Sequence, residues 1–426
     1  MHYFLGIDFG TSGVRAIAID REGEIVALTR SDYDIRNCKT WRSALFEVIT
    51  NLPEFVRIHT RKIVIDGTSA TVLICDHAGK VIASPMLYSD ACEMAILERV
   101  TDIAPLHHSV ASATSSFSKL IALTTTWSQI PEEFYFLHQA DWLGYLLHDR
   151  LGVSDYHNAL KLGYEPLSLT YPDWLRAWAK AHPNVILPEI FAPSTTIAKI
   201  QAKVANQLGL PKDCEIGAGT TDSNAGFLAC IGMGKPTLGT AVTSLGSTMV
   251  LKILSDRPIN DLSYGIYSHR FEHPACGCLW LVGGASNVGG AVLKQFFTDV
   301  ELRELSDRID PHIPSALDYY PLPKIGDRFP INDPHLMPRL EPRPQDPAEF
   351  LHGLLESMAR IEARGYSLLQ ELGASPLQQI YTAGGGAKNP TWTKIRNRYL
   401  KTPMQKPLET EAAYGSALLA KSNFEV

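Results

Sequence analysis

Gly6-Ile7-Asp8-Phe9-Gly10-Thr11-Ser12-Gly13 is the stretch whose reading decides the fold. An apolar strand, Tyr3 to Ile7, ends on a carboxylate. A turn of small residues follows, and a second apolar strand, Val14 to Ile19, leaves it. Small residues at a strand–turn–strand junction let backbone N–H groups approach an anion. A carboxylate beside that cradle suits a divalent cation bridging phosphate oxygens. This is not a Walker-type loop, which needs a Lys and leads into a helix. The same residues also make a plain hairpin, since Gly and Asp are ordinary turn formers.

The chain has 426 residues, for which two domains are the natural expectation. Its hydrophobic content of 45% and charged content of 20% are globular and allow a large core. A net charge of −6 gives no broad basic field, which argues against nucleic acid as partner. No apolar run approaches the roughly 18 residues of a membrane span, so no membrane partner is expected. The first residues lack a basic segment and meet Asp8 almost at once, unlike a signal peptide. Seven scattered cysteines fit free thiols in a reducing cytoplasm. His269, His273, Cys276 and Cys278 are zinc-ligand types. The Cys-x-Cys spacing is not that of a zinc knuckle, and both cysteines open the apolar run Leu279–Val282, which favours a structural strand. His107-His108 reads as a surface pair.

Further along, Lys62 to Ile65 leads into Asp66-Gly67-Thr68-Ser69, then Ala70 to Cys75 and Asp76-His77-Ala78-Gly79, echoing the N-terminal stretch. Repeated hairpin chemistry and a functional repeat both explain the echo. From about 92 to 210 the pattern is mainly helical. Gly217-Ala218-Gly219-Thr220-Thr221-Asp222 then ends a strand, with Asp222 at the start of a helix, where it can act as N-cap. Residues 232–239, rich in Gly, read as a hinge. Val242 to Leu245, Gly246-Ser247-Thr248 and Met249 to Ile253 repeat the strand–small-turn–strand theme, which suggests duplicated halves with a cleft between them. A proline-rich stretch, 311–347, is irregular. A long helix follows from Asp346 to Gly373. The chain then offers Gly384-Gly385-Gly386 with Asn389 and Trp392, and a last helix from Glu411 whose small residues permit close packing.

In this order the segments resemble the FGGY carbohydrate kinases of the actin, sugar kinase and heat-shock ATPase superfamily. The resemblance implies an α/β fold of two ribonuclease H-like (actin-type ATPase) domains, each a mixed sheet flanked by helices, around a central cleft. The boundaries it implies are a sugar-binding domain over residues 1–230 and a nucleotide-binding domain over 231–404, with the helix at about 405–426 packing back on the first. Asp8 to Ser12 resembles the first phosphate loop, Gly217 to Asp222 the segment of the catalytic aspartate, and Gly246-Ser247-Thr248 the second phosphate loop. Gly384-Gly385 with Asn389 and Trp392 resembles the adenosine segment. Asp66–Thr71 and Pro85–Asp90 resemble the sugar loops of pentulose kinases, nearest to the plant and cyanobacterial xylulose-kinase-like group associated with D-ribulose. The family pattern places a tryptophan three residues after a lysine; here Lys119 is followed by Ala122. No arginine follows the Tyr88–Asp90 loop, where Ala91 and Cys92 stand.

The activity so implied is ATP-dependent phosphorylation of a sugar hydroxyl in the cytoplasm, which needs positioning and charge neutralisation more than covalent chemistry. Asp222 is the expected base, with Asp8 beside Mg2+ and Asp222 facing it. Gly10, Thr11 and Ser12 would cradle the transferred phosphate; Arg15 either neutralises it or is a surface strand residue. Gly246, Ser247 and Thr248 would grip phosphates, Gly384 and Gly385 would let the nucleotide lie against backbone, and Asn389 and Trp392 would flank the base unless Trp392 is core. Thr68, Ser69, Tyr88 and Asp90, with Asp8 and Asp222, would contact a pentulose. D-Xylulose, a polyol such as glycerol, and an actin-like ATPase without a sugar product remain alternatives.

Overall fold

Strand β1 (Tyr3–Gly10) turns through Thr11 and Ser12 into antiparallel β2 (Gly13–Ile19), with Gly10 opposite Gly13. β3 (Ile25–Ser31) continues the meander, and β4 (Thr60–Gly67) lies parallel to β1 on its other side. The computed structural model describes residues 1–105, 108–126, 133–273 and 276–422. They form two units, Met1–Met233 with Glu411–Val426, and Gly234–Thr410.

In the first unit the main sheet also takes β10 (Thr196–Lys199), β11 (Glu215–Gly217) and β12 (Thr220–Thr221), in the order β10-β11-β4-β1-β2-β3 with β12 paired to β4. A second sheet joins β5 (Val72–Cys75), β6 (Phe134–His138) and β8 (Val185–Ile186), and β7 (Val153–Asp155) pairs with β9 (Glu189–Phe191). Helix predominates over strand in 92–210, as expected, but the stretch also carries the short strands β6 to β10. Short apolar runs such as Phe134–His138 read equally as helix or strand until a partner is known, and β5 is that partner. His107 lies outside the described residues. His108 is only partly at the surface: it is half-buried, its ring 5.3 Å from that of Trp174.

The helix Ala412–Ser422 lies on the sheet of the first unit. Small residues make this contact possible. A Cβ on Gly6 would stand 2.0 Å from the Ala413 carbonyl oxygen, and one on Gly415 would stand 1.8 Å from that of Ala225. No side chain fits at either place without displacing backbone.

The second unit repeats the motif. β13 (Thr240–Leu245) turns through Gly246–Thr248 into antiparallel β14 (Met249–Ser255), and β17 (Gln379–Ala383) runs parallel to β13. β15 (Tyr267–His273), β16 (Gly277–Ser286) and β18 (Met404–Gln405) complete the order β15-β16-β14-β13-β17-β18. The helix Pro347–Glu371 covers this sheet, capped by Asp346. Residues 311–346 contain no regular helix or strand. Asp327 pins them by accepting from Ser286 Oγ at 2.9 Å, Asn287 N–H at 2.7 Å and Tyr320 Oη at 2.7 Å.

Candidate active site

Three strand ends of the first unit deliver three carboxylates. Asp8 on β1 and Asp66 on β4 are register partners on neighbouring parallel strands, and β12, also parallel to β4, feeds Asp222. Asp8 and Asp66 are buried and Asp222 is half-buried. Burial first pushes the Asp8 carboxyl up to about 6; a hydrogen bond with Asp66 opposes this and the charge of Asp222 adds to it. Asp66 is driven well above the ordinary carboxylate range, by burial first and then by the charge of Asp8. Among the described residues no N–H or O–H donor reaches Asp8 Oδ1 or Asp66 Oδ1. Buried carboxylate oxygens in that state call for a proton or a cation between them.

Asp222 is the first residue of the helix Asp222–Ile231, and Thr221 occupies the N-cap position expected for Asp222. Its Oδ1 accepts from Ser223 N–H at 2.7 Å. Behind it, Asn158 Nδ2 donates to the Thr220 carbonyl at 3.1 Å, and His157 Nδ1 lies 2.7 Å from Thr220 Oγ1. Asp155 anchors both of these residues through their backbone N–H groups. Its own carboxyl is pushed up to about 8 by burial and then by the charge of Asp141.

Gly10, Thr11 and Ser12 form the hairpin tip, with Thr11 and Ser12 exposed. Arg15 does not stand free as a surface strand residue. Its Nη1 lies 3.6 Å from Asp8 Oδ2 and its Nε 3.0 Å from Glu411 Oε2. The loop after β4 is held from within. Lys119, fully buried, donates from Nζ to the carbonyls of Ala70 at 2.7 Å and Leu87 at 2.5 Å, tying residues 66–71 to 85–90. Burial lowers its ammonium pKa to about 8. Thr68 is buried, with its hydroxyl 2.6 Å from Thr71 Oγ1 and 3.1 Å from Gln139 Oε1, so it supports the loop rather than fronting it. Ser69 is half-buried and Tyr88 exposed. Asp90 is engaged by Arg36, at 2.8 and 3.2 Å, and accepts from Leu87 N–H. The partner of Asp90 is thus an arginine from a distant segment.

The second unit holds a cavity of about 880 Å³ lined by Gly246, Ser247, Gly385, Gly386, Asn389 and Trp392, among others. Thr248 and Gly384 sit beside this lining. The Thr248 carbonyl accepts from Gly246 N–H at 3.1 Å. Gly384 has φ +83°, and a Cβ there would stand 2.6 Å from the Leu245 carbonyl oxygen. Asn389 caps the helix Pro390–Leu400 through Trp392 N–H and donates from Nδ2 to Ser306 Oγ at 2.8 Å. Trp392 is both core and cavity wall. Lys294, Arg303 and Lys388, which belong to none of the sequence motifs, line the wall together with Asp299 and Asp307. Their sequence signal is limited to charge on short helical segments.

Among the described residues no three His, Cys, Asp or Glu side chains stand close enough to hold a metal ion alone, and His269, His273, Cys276 and Cys278 form no such group. Among the described residues no helix is long and apolar enough to cross a membrane.

Comparison with known proteins identifies the family. Residues 3–229 match the N-terminal domain, and residues 241–423 the C-terminal domain, of the FGGY family of carbohydrate kinases. A xylulose kinase of Bacillus subtilis is 22% identical over 99% of this chain and 88% of its own. A gluconokinase of Bacillus licheniformis is 22% identical over 92% and 82%. In fold, the chain superposes on a xylulose kinase from Brucella ovis with TM-score 0.84, at 21% identity over 98% of this chain and 90% of the other. It also superposes on Plasmodium falciparum glycerol kinase with ADP, with TM-score 0.81 at 16% identity over 99% and 89%. With both domain models matched across the two units and the acidic strand ends in place, the chain belongs to the FGGY family of carbohydrate kinases.

Proposed function

We propose that this carbohydrate kinase transfers the γ-phosphoryl group of ATP to a hydroxyl of a pentulose, D-ribulose first. The observation that carries the chemistry is the electrostatic convergence of Asp8, Asp66 and Asp222 at strand ends, with one buried carboxylate oxygen of Asp8 and one of Asp66 lacking donors. A neutral alcohol is a poor nucleophile, and Asp222 takes its proton as phosphoryl transfer proceeds. The backbone cradle for the transferred group is Gly10, Thr11 and Ser12. Arg15, spent on Asp8 and Glu411, orients the Asp8 carboxylate.

The orphaned Asp8 oxygen fits a hard cation. Asp8, with Asp222, would hold Mg2+, which takes few protein carboxylates and fills its shell with water and phosphate oxygens. When bound, the ion supplies neutralisation of phosphate charge. The cavity lined by Gly385, Asn389 and Trp392 suits the adenosine part of ATP, because bare glycine backbone and an indole both contribute to its wall.

The acceptor loops 66–71 and 85–90 carry the pentulose reading, with Ser69 and Tyr88 as the accessible side chains. D-Xylulose is the second reading, favoured by the names of the relatives. ATP-coupled assay of D-ribulose, D-xylulose, glycerol and gluconate, with mass analysis of products, tests both. Highest kcat/KM on D-ribulose is expected. Preference for glycerol or gluconate overturns the pentulose reading. ATP turnover indifferent to every acceptor overturns the kinase step and restores the actin-like ATPase.

A pH dependence follows from Asp8. Its carboxyl is raised to about 6, so it is ionised above that value and neutral below it. The neutral form neither attracts a cation nor pairs with Arg15. We expect kcat/KM for ATP to fall roughly tenfold per pH unit as pH drops through about 6. A profile flat from pH 7 to 5 removes Asp8 from the ionised machinery.

A further inference from the structure

Gln139 is fully buried at the start of the helix Gln139–His148, and no motif includes it. Its place is set twice. Its backbone N–H donates to the Thr71 carbonyl at 3.0 Å, and the helix start is locked by His138 N–H donating to Asp141 Oδ2 at 2.8 Å. Its side-chain oxygen accepts from Thr68 N–H and from Thr68 Oγ1, both at 3.1 Å. A backbone N–H can only donate, so the atom facing Thr68 must be oxygen, and Nε2 faces Tyr33 Oη at 3.4 Å.

Every proton along this path has one direction. Tyr33 Oη donates to the Gly10 carbonyl at 2.7 Å, because a carbonyl cannot donate. At the other end Tyr88 N–H donates to Thr71 Oγ1 at 3.0 Å. The Gln139 oxygen can only accept, so Thr68 passes its proton to Gln139, and Thr71 passes its own to Thr68 Oγ1 at 2.6 Å. The relay runs from Tyr88, in the acceptor loop, to Gly10, at the phosphate turn, through groups buried or half-buried in one unit. Chains of this kind in a low-dielectric interior polarise one another, and breaking one link loosens its neighbours.

We propose that Gln139 and Tyr33 are positioning residues that couple the phosphate turn at Gly10 to the acceptor loops at Thr68–Thr71 and Tyr88, so that nucleotide at the turn orders the loops that receive the sugar. This rests on the reading of those segments given above. It predicts that the nucleotide changes loop order before any acceptor is present, independently of which sugar is used.

Hydrogen–deuterium exchange on the full chain tests it, with a non-hydrolysable ATP analogue and Mg2+ as the probe and no sugar. In the parent, the analogue should slow exchange over residues 66–72 and 85–90 by roughly fivefold or more, in the usual range of site-to-site coupling. Tyr33→Phe removes the donor to Gly10, and Gln139→Glu keeps the acceptor for Thr68 but loses the donor to Tyr33. Both should abolish the nucleotide-dependent slowing, and the double variant should add nothing. A merely structural role would raise exchange equally with and without nucleotide. Slowing retained in Tyr33→Phe, which needs no repacking, overturns the inference even if Gln139→Glu fails to fold. A parent that binds the analogue yet shows no slowing also overturns it, and leaves the kinase reading standing. A parent that binds no analogue removes both.

Discussion

Asp222→Asn should lower sugar phosphorylation by about 10³-fold or more, within or beyond the usual range for loss of a general base. The substitution is nearly isosteric. Its amide oxygen can still accept from Ser223 N–H, as Asp222 Oδ1 does at 2.7 Å, so the helix start survives. What is lost is a group able to take the hydroxyl proton. Nucleotide should still bind, since Asp8 remains to hold Mg2+ and the cavity lined by Gly385, Asn389 and Trp392 lies in the other unit. A second readout comes from charge. Asp222 helps to raise Asp8, so its neutralisation should move the acid limb of the residual rate to lower pH. Stopped turnover with calorimetric nucleotide binding intact is the expected pair of results; parental turnover would exclude Asp222 as base.

The largest expected effect on stability is at Arg396. Its guanidinium is fully buried and meets Glu362 twice, Nε to Oε2 at 2.6 Å and Nη2 to Oε1 at 2.7 Å. Glu362 Oε1 also accepts from Thr243 Oγ1 at 2.6 Å, and Arg396 Nη1 donates to Thr382 Oγ1 at 3.0 Å. Thr243 lies on β13 and Thr382 on β17, the strands that lead to the Gly246 and Gly384 turns. Arg396→Met strands a buried carboxylate and should cost the second unit about 3–5 kcal/mol. Replacing both partners, with Glu362→Leu added, should restore much of the loss, because an apolar pair leaves no charge unpaired. Urea unfolding of the single and double variants decides it. A loss under about 1 kcal/mol in Arg396→Met would show that water reaches the site.

Motifs made of contiguous residues are legible in the amino-acid order alone. Asp8 with its small turn, the strand running into Asp222, and the Gly246 and Gly384 turns depend on local backbone chemistry that adjacent residues specify. The capped helix after Asp346 and the small residues of the last helix are legible for the same reason. The strands within 92–210 are not, because β6 and β8 are short apolar runs whose identity comes from pairing. Nor is the fate of single side chains. Thr68 turns inward, and Asp90 takes Arg36, 54 positions away, as its partner.

By itself the amino-acid order determined the strand–turn–strand openings of both halves, the acidic residues that end strands of the first and the family they belong to. Such features follow from short-range sterics and from the spacing of apolar residues. Only the folded chain decided that Asp66 joins Asp8, that Arg15 is spent on Asp8 and Glu411, and that Gln139 reaches Tyr33 across 106 positions. Those pairings depend on which strands lie side by side and on what is buried with them, so the free energy of each is set by neighbours that no local pattern encodes.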